Sequence, residues 1–139
     1  MTVVRDFKNS DYNQLIDLWQ ELDLGRPERG DNLTVINETL SRGGKLLLLE
    51  HNDQLIGTAW ITNNGRRLYL HHMGIRRVWQ ERGFGKILME EIMNFAHAMK
   101  MQIKLEVHLE NQNARRLYEK YQFEELEGYR VLINRKTSG

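Results

Sequence analysis

The period of polar and apolar positions changes several times along the chain, and each change marks an element. Residues 2–7 centre on Val3 and Val4 and predict an opening strand. Ser10 is a candidate N-cap, and behind it Tyr12, Leu15, Ile16, Trp19 and Leu22 fall on one helical face. Gly25-Arg26-Pro27 breaks this helix. Asp31 can cap a second one, with Leu33, Ile36 and Leu40 turned inward and Gly43-Gly44 as its stop. The period then shortens. Residues 45–50 and 55–62 predict strands around an Asn52-Asp53 turn, and Asn63-Asn64-Gly65 signals a hairpin before a return strand over residues 67–75. A Gly-containing turn leads into a long helix with Leu88, Ile92, Phe95, Ala96 and Met99 at helical spacing. Over residues 103–109, Ile103, Leu105, Val107 and Leu109 alternate with Lys104, Glu106 and His108, as in a strand. A helix from Asn111 sets Ala114, Leu117, Tyr118 and Tyr121 on one side, and two short strands over residues 123–126 and 129–134 close the chain. The order β-α-α-β-β-β-α-β-α-β-β predicts a single α/β domain over residues 1–139, a mixed sheet covered by helices.

Composition narrows the chemistry. The chain has 139 residues, 40% hydrophobic and 28% charged, as expected of a soluble globular domain with a real core. Twenty Lys and Arg against 19 Asp and Glu give a net charge of +1, without the basic excess that phosphate backbones attract, so no nucleic-acid partner is expected. Cysteine is absent, which removes disulfides and every Cys-nucleophile route. The longest apolar run, residues 46–49, is far below the ~20 residues that span a bilayer, and residues 1–9 do not read as a signal peptide. No membrane partner and a cytoplasmic location are the expectation. His71 and His72, adjacent on a strand, should point to opposite faces, and no metal site is expected.

The most informative stretch is Gln80-Glu81-Arg82-Gly83-Phe84-Gly85-Lys86, between a strand and a helix. Its glycines permit a tight turn and close approach of a ligand. The amides that follow open a helix, and a helix N-terminus is an anion site, here with Arg82 and Lys86 beside it. A Walker loop is excluded because Ile87 follows Lys86. A Rossmann fingerprint is excluded because the third Gly is missing and the turn lies mid-chain. The plain alternative is a capped strand–helix turn that holds no ligand.

The same turn fits the acyl-CoA N-acyltransferase pattern Gln/Arg-x-x-Gly-x-Gly/Ala. In the next helix, Asn111, Ala114, Tyr118 and Phe123 resemble the second signature of the GNAT superfamily, Asn-x-x-Ala-x-x-x-Tyr-x-x-x-Gly-Phe, with Gln122 in place of its Gly. The segment His72-Met73-Gly74-Ile75 looks like the end of that family's fourth strand, and the element order matches as well. The chain is therefore identified as resembling small single-domain, bacterial-type GNAT acyltransferases over essentially its whole length. The resemblance implies a GNAT fold with a mostly antiparallel sheet and a V-shaped cleft between strands 4 and 5, opened by a bulge that Gly74 suits. It implies acetyl-CoA as cosubstrate. The turn from Gln80 through Glu81, Arg82, Gly83, Phe84, Gly85 and Lys86 would take its pyrophosphate, Met73 and Ile75 would pair with its pantetheine arm, and Asn111 would contact it by its amide. Tyr118 would protonate the departing thiolate. Gln122 implies a different turn at that helix end. A homodimer follows by analogy alone.

The residues themselves fit such chemistry. A phenol of reference pKa ~10 is an acid for a thiolate of pKa ~8.5. A primary amine of pKa ~10.4 is only about one part in 2,500 neutral at pH 7, equivalent to ~4.6 kcal/mol, so a base must take its proton. Glu106 on the polar face of the fifth strand is the first candidate, His72 the second and Glu110 the third; each also reads as an ordinary polar strand residue. Arg76-Arg77 and Arg115-Arg116 are basic pairs for the 3′-phosphate or simply solvated surface. Trp19 and Tyr12 would line the acceptor pocket or pack in the core. The function expected is transfer of acetyl from acetyl-CoA to a small-molecule or peptide amine by direct attack in a ternary complex. The alternative is a non-catalytic acyl-CoA sensor of the same fold.

Overall fold

The run Leu46-Leu47-Leu48-Leu49 has no polar face, and the computed structural model, which describes residues 1–137, shows why. It lies in the strand β2 (Lys45–His51), covered on both sides. Leu47 and Leu49 join one buried cluster and Leu46 and Leu48 another. The chain runs β1 (Thr2–Asp6), α1 (Tyr12–Glu21), α2 (Leu33–Ser41), β2, β3 (Gln54–Asn63), β4 (Leu68–Ile75), α3 (Phe84–Met99), β5 (Ile103–Leu105) and α4 (Gln112–Lys120). The five strands form one sheet in sequence order, antiparallel except for the parallel pair β4–β5.

Helices cover both faces. On one, Leu15, Leu18 and Trp19 of α1 and Ile36 of α2 pack on Leu46, Leu48, Leu55 and Trp60, with Trp19 and Trp60 stacked at 5.5 Å. On the other, Leu88, Met89, Ile92 and Ala96 of α3 pack on Leu47, Ile56, Ile61, Leu68 and Leu70. Burying each large α3 side chain contributes ~1.5–3 kcal/mol. Leu117, Tyr118 and Tyr121 bring α4 against this second cluster. Among the described residues no helix is long and apolar enough to cross a membrane.

Several sequence expectations need correction. The two closing strands expected over residues 123–126 and 129–134 are absent among the described residues; the turn at Gly128 forms without them. The fifth strand ends at Leu105 rather than Leu109. The two facts share a cause: a strand needs a neighbour, and β5 offers only a three-residue edge, while an isolated hairpin is marginal in water. Leu126, Tyr129, Val131, Leu132 and Ile133 consequently stay exposed. A 3₁₀ turn over Asn9–Asp11 precedes α1, so Asp11 rather than Ser10 stands at its N-cap. Asn32, not Asp31, caps α2, its side chain accepting from the Val35 N–H.

The end of α4 is not a different turn either. Gln122 adopts φ 67°, the left-handed conformation for which glycine is the usual residue. Its N–H donates to the Glu119 carbonyl at 3.0 Å, and the Phe123 N–H donates to that of Tyr118 at 3.1 Å. This is a Schellman motif, completed by the ring contact of Tyr118 with Phe123 at 5.6 Å. A left-handed non-glycine residue costs about 1–2 kcal/mol. Gln122→Gly is therefore expected to raise stability by up to about 1 kcal/mol, after the entropy that glycine adds to the unfolded chain. Urea unfolding measures it; a loss of stability would show that the Gln122 side chain contributes contacts of its own.

Candidate active site

The site begins where β4 loses its regular pairing. Trp60 lies opposite His71 and Thr58 opposite Gly74, so His72 and Met73 together face the single residue Ala59. This is a β-bulge. Its strained residue is His72, at φ 45°, and not Gly74 as the sequence suggested. Tertiary contacts hold His72 there: its Nε2 is 3.3 Å from Asp31 Oδ1, its ring meets the edge of Trp19 at 5.0 Å, and Trp60 lies 5.5 Å away. Gly74 makes room for its neighbours, since a Cβ would lie 2.7 Å from Leu22 Cδ1 and displace that side chain. The bulge also cancels the expected alternation. His71 and His72 both approach Trp60, with ring centroids 6.3 Å apart. Among the described residues no group of three or more acidic or imidazole side chains is placed to hold a metal.

Beyond the bulge β4 has no second neighbour. Its pairing with β5 covers only Leu68–Leu70 against Ile103–Leu105. Residues 71–75 therefore present an edge towards the space between the two strands, with Met73 and Ile75 on it. Gln80 closes the far end: its Nε2 donates to the Ile75 carbonyl at 2.8 Å. That bond makes Gln80 a brace of the backbone.

The turn after β4 leads directly into α3 and leaves the first amides of that helix without intrahelical partners. Glu81 at φ 62° and Gly83 at φ 87° bend the chain into α3, and Gly83 stands at the N-cap with no capping side chain. The first intrahelical bond runs from the Ile87 N–H to the Gly83 carbonyl at 3.4 Å, so the amides of Phe84, Gly85 and Lys86 precede the helical ladder. The Phe84 ring is buried, edge-on to Trp79 at 5.8 Å, and anchors the turn. Arg82 lies over the other arm of this cluster, its guanidinium carbon 5.1 Å from the Trp79 ring. A Cβ on Gly85 would sit 3.2 Å from Leu117 Cδ2, because α4 packs directly on the first turn of α3.

Helix α4 brings the second signature to the same place. Asn111 is its N-cap, with Oδ1 accepting from the Ala114 N–H at 3.2 Å, so its Nδ2 is the group left for a ligand. Tyr118 reaches β4 from the α3 side, its hydroxyl 3.8 Å from Met73 Sδ. Burial pushes its phenol up to about 12. Tyr118 thus carries its proton throughout the working range.

The opposite face of β4 is polar. The Tyr69 hydroxyl donates to Glu106 Oε1 at 2.5 Å. The Tyr69 ring stacks on His71 at 4.8 Å, and His71 Nε2 lies 2.9 Å from Thr62 Oγ1. Burial, and then the neighbouring His72, hold the His71 imidazole below its ordinary value. Of the three base candidates, Glu106 lies at the mouth between the strands and His72 is committed to Asp31. Glu110 is exposed on a turn, its N–H donating to His108 Nδ1. Trp19 is fully buried core. Arg76 is tied to Asp17, Glu21 and the Leu55 carbonyl, which removes it from any phosphate role, while on α4 Arg115 is half-buried and Arg116 exposed.

Sequence reasoning missed Tyr69 and the Asp31–His72 contact. Tyr69 shares a strand face with His71 two residues on, a signal that becomes useful only once β4 and β5 are known to be parallel neighbours.

The His71 environment has a consequence for stability. A histidine whose folded pKa is lowered binds fewer protons folded than unfolded. Its contribution is complete above the ordinary value of 6.5 and is lost as pH falls below it. The thermal midpoint should fall between about pH 7.5 and 5.5, and His71→Asn should make that fall shallower. An identical slope in the variant would place the acid sensitivity elsewhere.

Comparison with known proteins agrees with this geometry. A model of the acetyltransferase (GNAT) family matches residues 10–123. The probable N-acetyltransferase san of Drosophila melanogaster is 32% identical over 93 residues, which cover 63% of this chain and 50% of that protein. The chain thus matches about half the length of this relative. A GNAT-family acetyltransferase from Staphylococcus aureus Mu50 superposes with a TM-score of 0.80 at 17% identity, over 96% of this chain and 95% of the other. An acetyltransferase of Clostridium acetobutylicum solved with acetyl-CoA gives 0.73 at 19% identity, over 96% of both chains. With the short parallel pair β4–β5, the glycine turn before α3 and the α4 tyrosine in one molecule, and a family match over residues 10–123, this chain belongs to the GNAT acetyltransferase family.

Proposed function

We propose that the chain transfers an acetyl group from acetyl-CoA to a primary amine by direct attack in a ternary complex. The observation that carries this reading is the loss of β4–β5 pairing after Leu70, with a protonated Tyr118 on one side of β4 and the carboxylate of Glu106 on the other. The amides of Gly83, Phe84, Gly85 and Lys86, with Lys86 as a cation, take the pyrophosphate. Arg82 adds charge while stacked on Trp79. The unpaired edge of β4 takes the pantetheine arm. Because the Ile75 carbonyl already holds Gln80, Met73 is the freer backbone position for it. The Asn111 amide supports the same ligand.

The acceptor enters from the face of Tyr69, His71 and His72. Its nitrogen forms a bond to the acetyl carbon while the carbon–sulfur bond breaks. Before attack the ammonium form gives one proton to Glu106, directly or through one water, which frees the lone pair; the second N–H proton, acidic once the bond has formed, passes to the released thiolate or to water. At a pKa of about 12 the Tyr118 phenol is too weak an acid to hand its proton outright to an ordinary thiolate of ~8.5. Its role is to donate a hydrogen bond to the sulfur as charge develops there, in a site dry enough to make that bond strong. His72 holds the loop between α1 and α2 through Asp31 and serves the acceptor side by position.

Tyr118→Phe keeps the ring and removes the donor. It is expected to lower kcat on the order of 10²-fold and to leave acetyl-CoA affinity within about twofold. The measurement is CoA-thiol release with a panel of a polyamine, an aminoglycoside and a peptide with a free N-terminus, beside isothermal titration. Unchanged turnover in the variant would remove Tyr118 from the chemistry. Binding of acetyl-CoA without turnover of any amine would favour the sensor reading.

A further inference from the structure

Glu106 needs something to hold it. It is the first residue beyond the last paired position of the edge strand β5, so pairing with β4 does not fix its backbone. A side chain in that position samples many rotamers, and a misplaced base loses much of its effect. Tyr69 supplies the missing constraint from across the cleft. It lies one position before the end of the β4–β5 ladder, and its hydroxyl donates to Glu106 Oε1 at 2.5 Å. The ring is itself held, stacked on His71 at 4.8 Å with an interplanar angle of 19°, and His71 is bonded to Thr62 at 2.9 Å and packed near Trp60.

We infer that Tyr69 is a positioning residue for proton removal: it occupies one oxygen of Glu106 and aims the other, Oε2, at the incoming amine. The inference rests on the reading of Glu106 as proton acceptor. Two further observations support it. Oε2 has no hydrogen-bond partner among the described residues, so the carboxylate is half used and half available. Burial first, and then the bond to Glu106, push the Tyr69 phenol up to about 12, so it remains a donor at every working pH and does not compete for the proton. The bond is solvent-exposed, and such a bond adds little to fold stability, which separates a role in turnover from a role in folding.

The test is a double-mutant cycle on CoA-thiol release, using the amine from the panel that wild type acetylates fastest. Tyr69→Phe is expected to lower kcat roughly 10-fold, with the KM for acetyl-CoA within about twofold and an unchanged thermal midpoint. In the Glu106→Gln background the same substitution is expected to change kcat by less than about twofold, because a residue acting only through Glu106 has nothing left to act on. Wild-type kcat in Tyr69→Phe, or an equal loss in both backgrounds, overturns the inference while leaving Glu106 as base. Wild-type kcat in Glu106→Gln overturns the base assignment and the inference with it. Absence of turnover in the unsubstituted protein with every amine sinks the transferase reading itself, and is recognised before any variant is made.

Discussion

The backbone of β4 is paired with β3 from Leu68 to Ile75 except at the His72–Met73 bulge, and with β5 only as far as Leu70. Buried or half-buried backbone groups must find partners, so an edge that opens inside a molecule rather than at its rim calls for water or a ligand. Much else follows from that constraint. The bulge at His72 and Met73 interrupts the strand just beyond the last residue paired with β5. Gln80 caps the open edge at Ile75, and α4 closes the gap from below with Tyr118 against Met73. A regular ladder from Leu68 to Ile75 would leave no passage between the faces of the sheet and no reason for either polar residue to stand where it does.

The two faces divide the work. On the α3–α4 side stand the first amides of α3, with Lys86 and Arg82 beside them. On the α1–α2 side the ionisable groups are carboxylates and imidazoles, with Glu106 tied to Tyr69 and Asp31 facing His72. On the proposed reading, an anionic cosubstrate and a cationic acceptor would approach the sheet from opposite faces, each towards groups of the opposite charge. The Schellman motif at the end of α4 belongs to this arrangement: it ties Phe123 to Tyr118 and so fixes the phenol at the passage, at the cost of a left-handed glutamine.

Much of this was legible in the sequence, for identifiable reasons. Helices α1 and α3 follow from apolar spacing, because their buried faces, Leu15-Leu18-Trp19 and Leu88-Ile92-Ala96, are continuous stripes. The glycine turn before α3 was legible because its glycines and cations are adjacent in the chain. The bulge was not. His72 reaches φ 45° because Asp31 and Trp19 hold it, and both contacts come from elements far away in sequence. The closing strands were misread because residues 129–134 have strand composition, while strand formation depends on an edge that β5 is too short to offer. The bracing bond of Gln80, which the sequence offered only as a cofactor contact, and the place of Tyr69 escaped for a related reason: each acts on a neighbour fixed by topology, the Ile75 carbonyl in one case and Glu106 across the parallel pair in the other.

The claim on which the rest stands is that the open edge of β4 and the cradle before α3 together hold acetyl-CoA. Isothermal titration of acetyl-CoA into the wild-type protein and into a Gly83→Asp/Gly85→Asp variant tests it most directly, with a circular dichroism spectrum confirming that the variant is folded. The account predicts micromolar-range binding to the wild type and none to the folded variant, where two carboxylates meet the pyrophosphate at the helix N-terminus. Equal binding by both proteins, or none by the wild type, would contradict it.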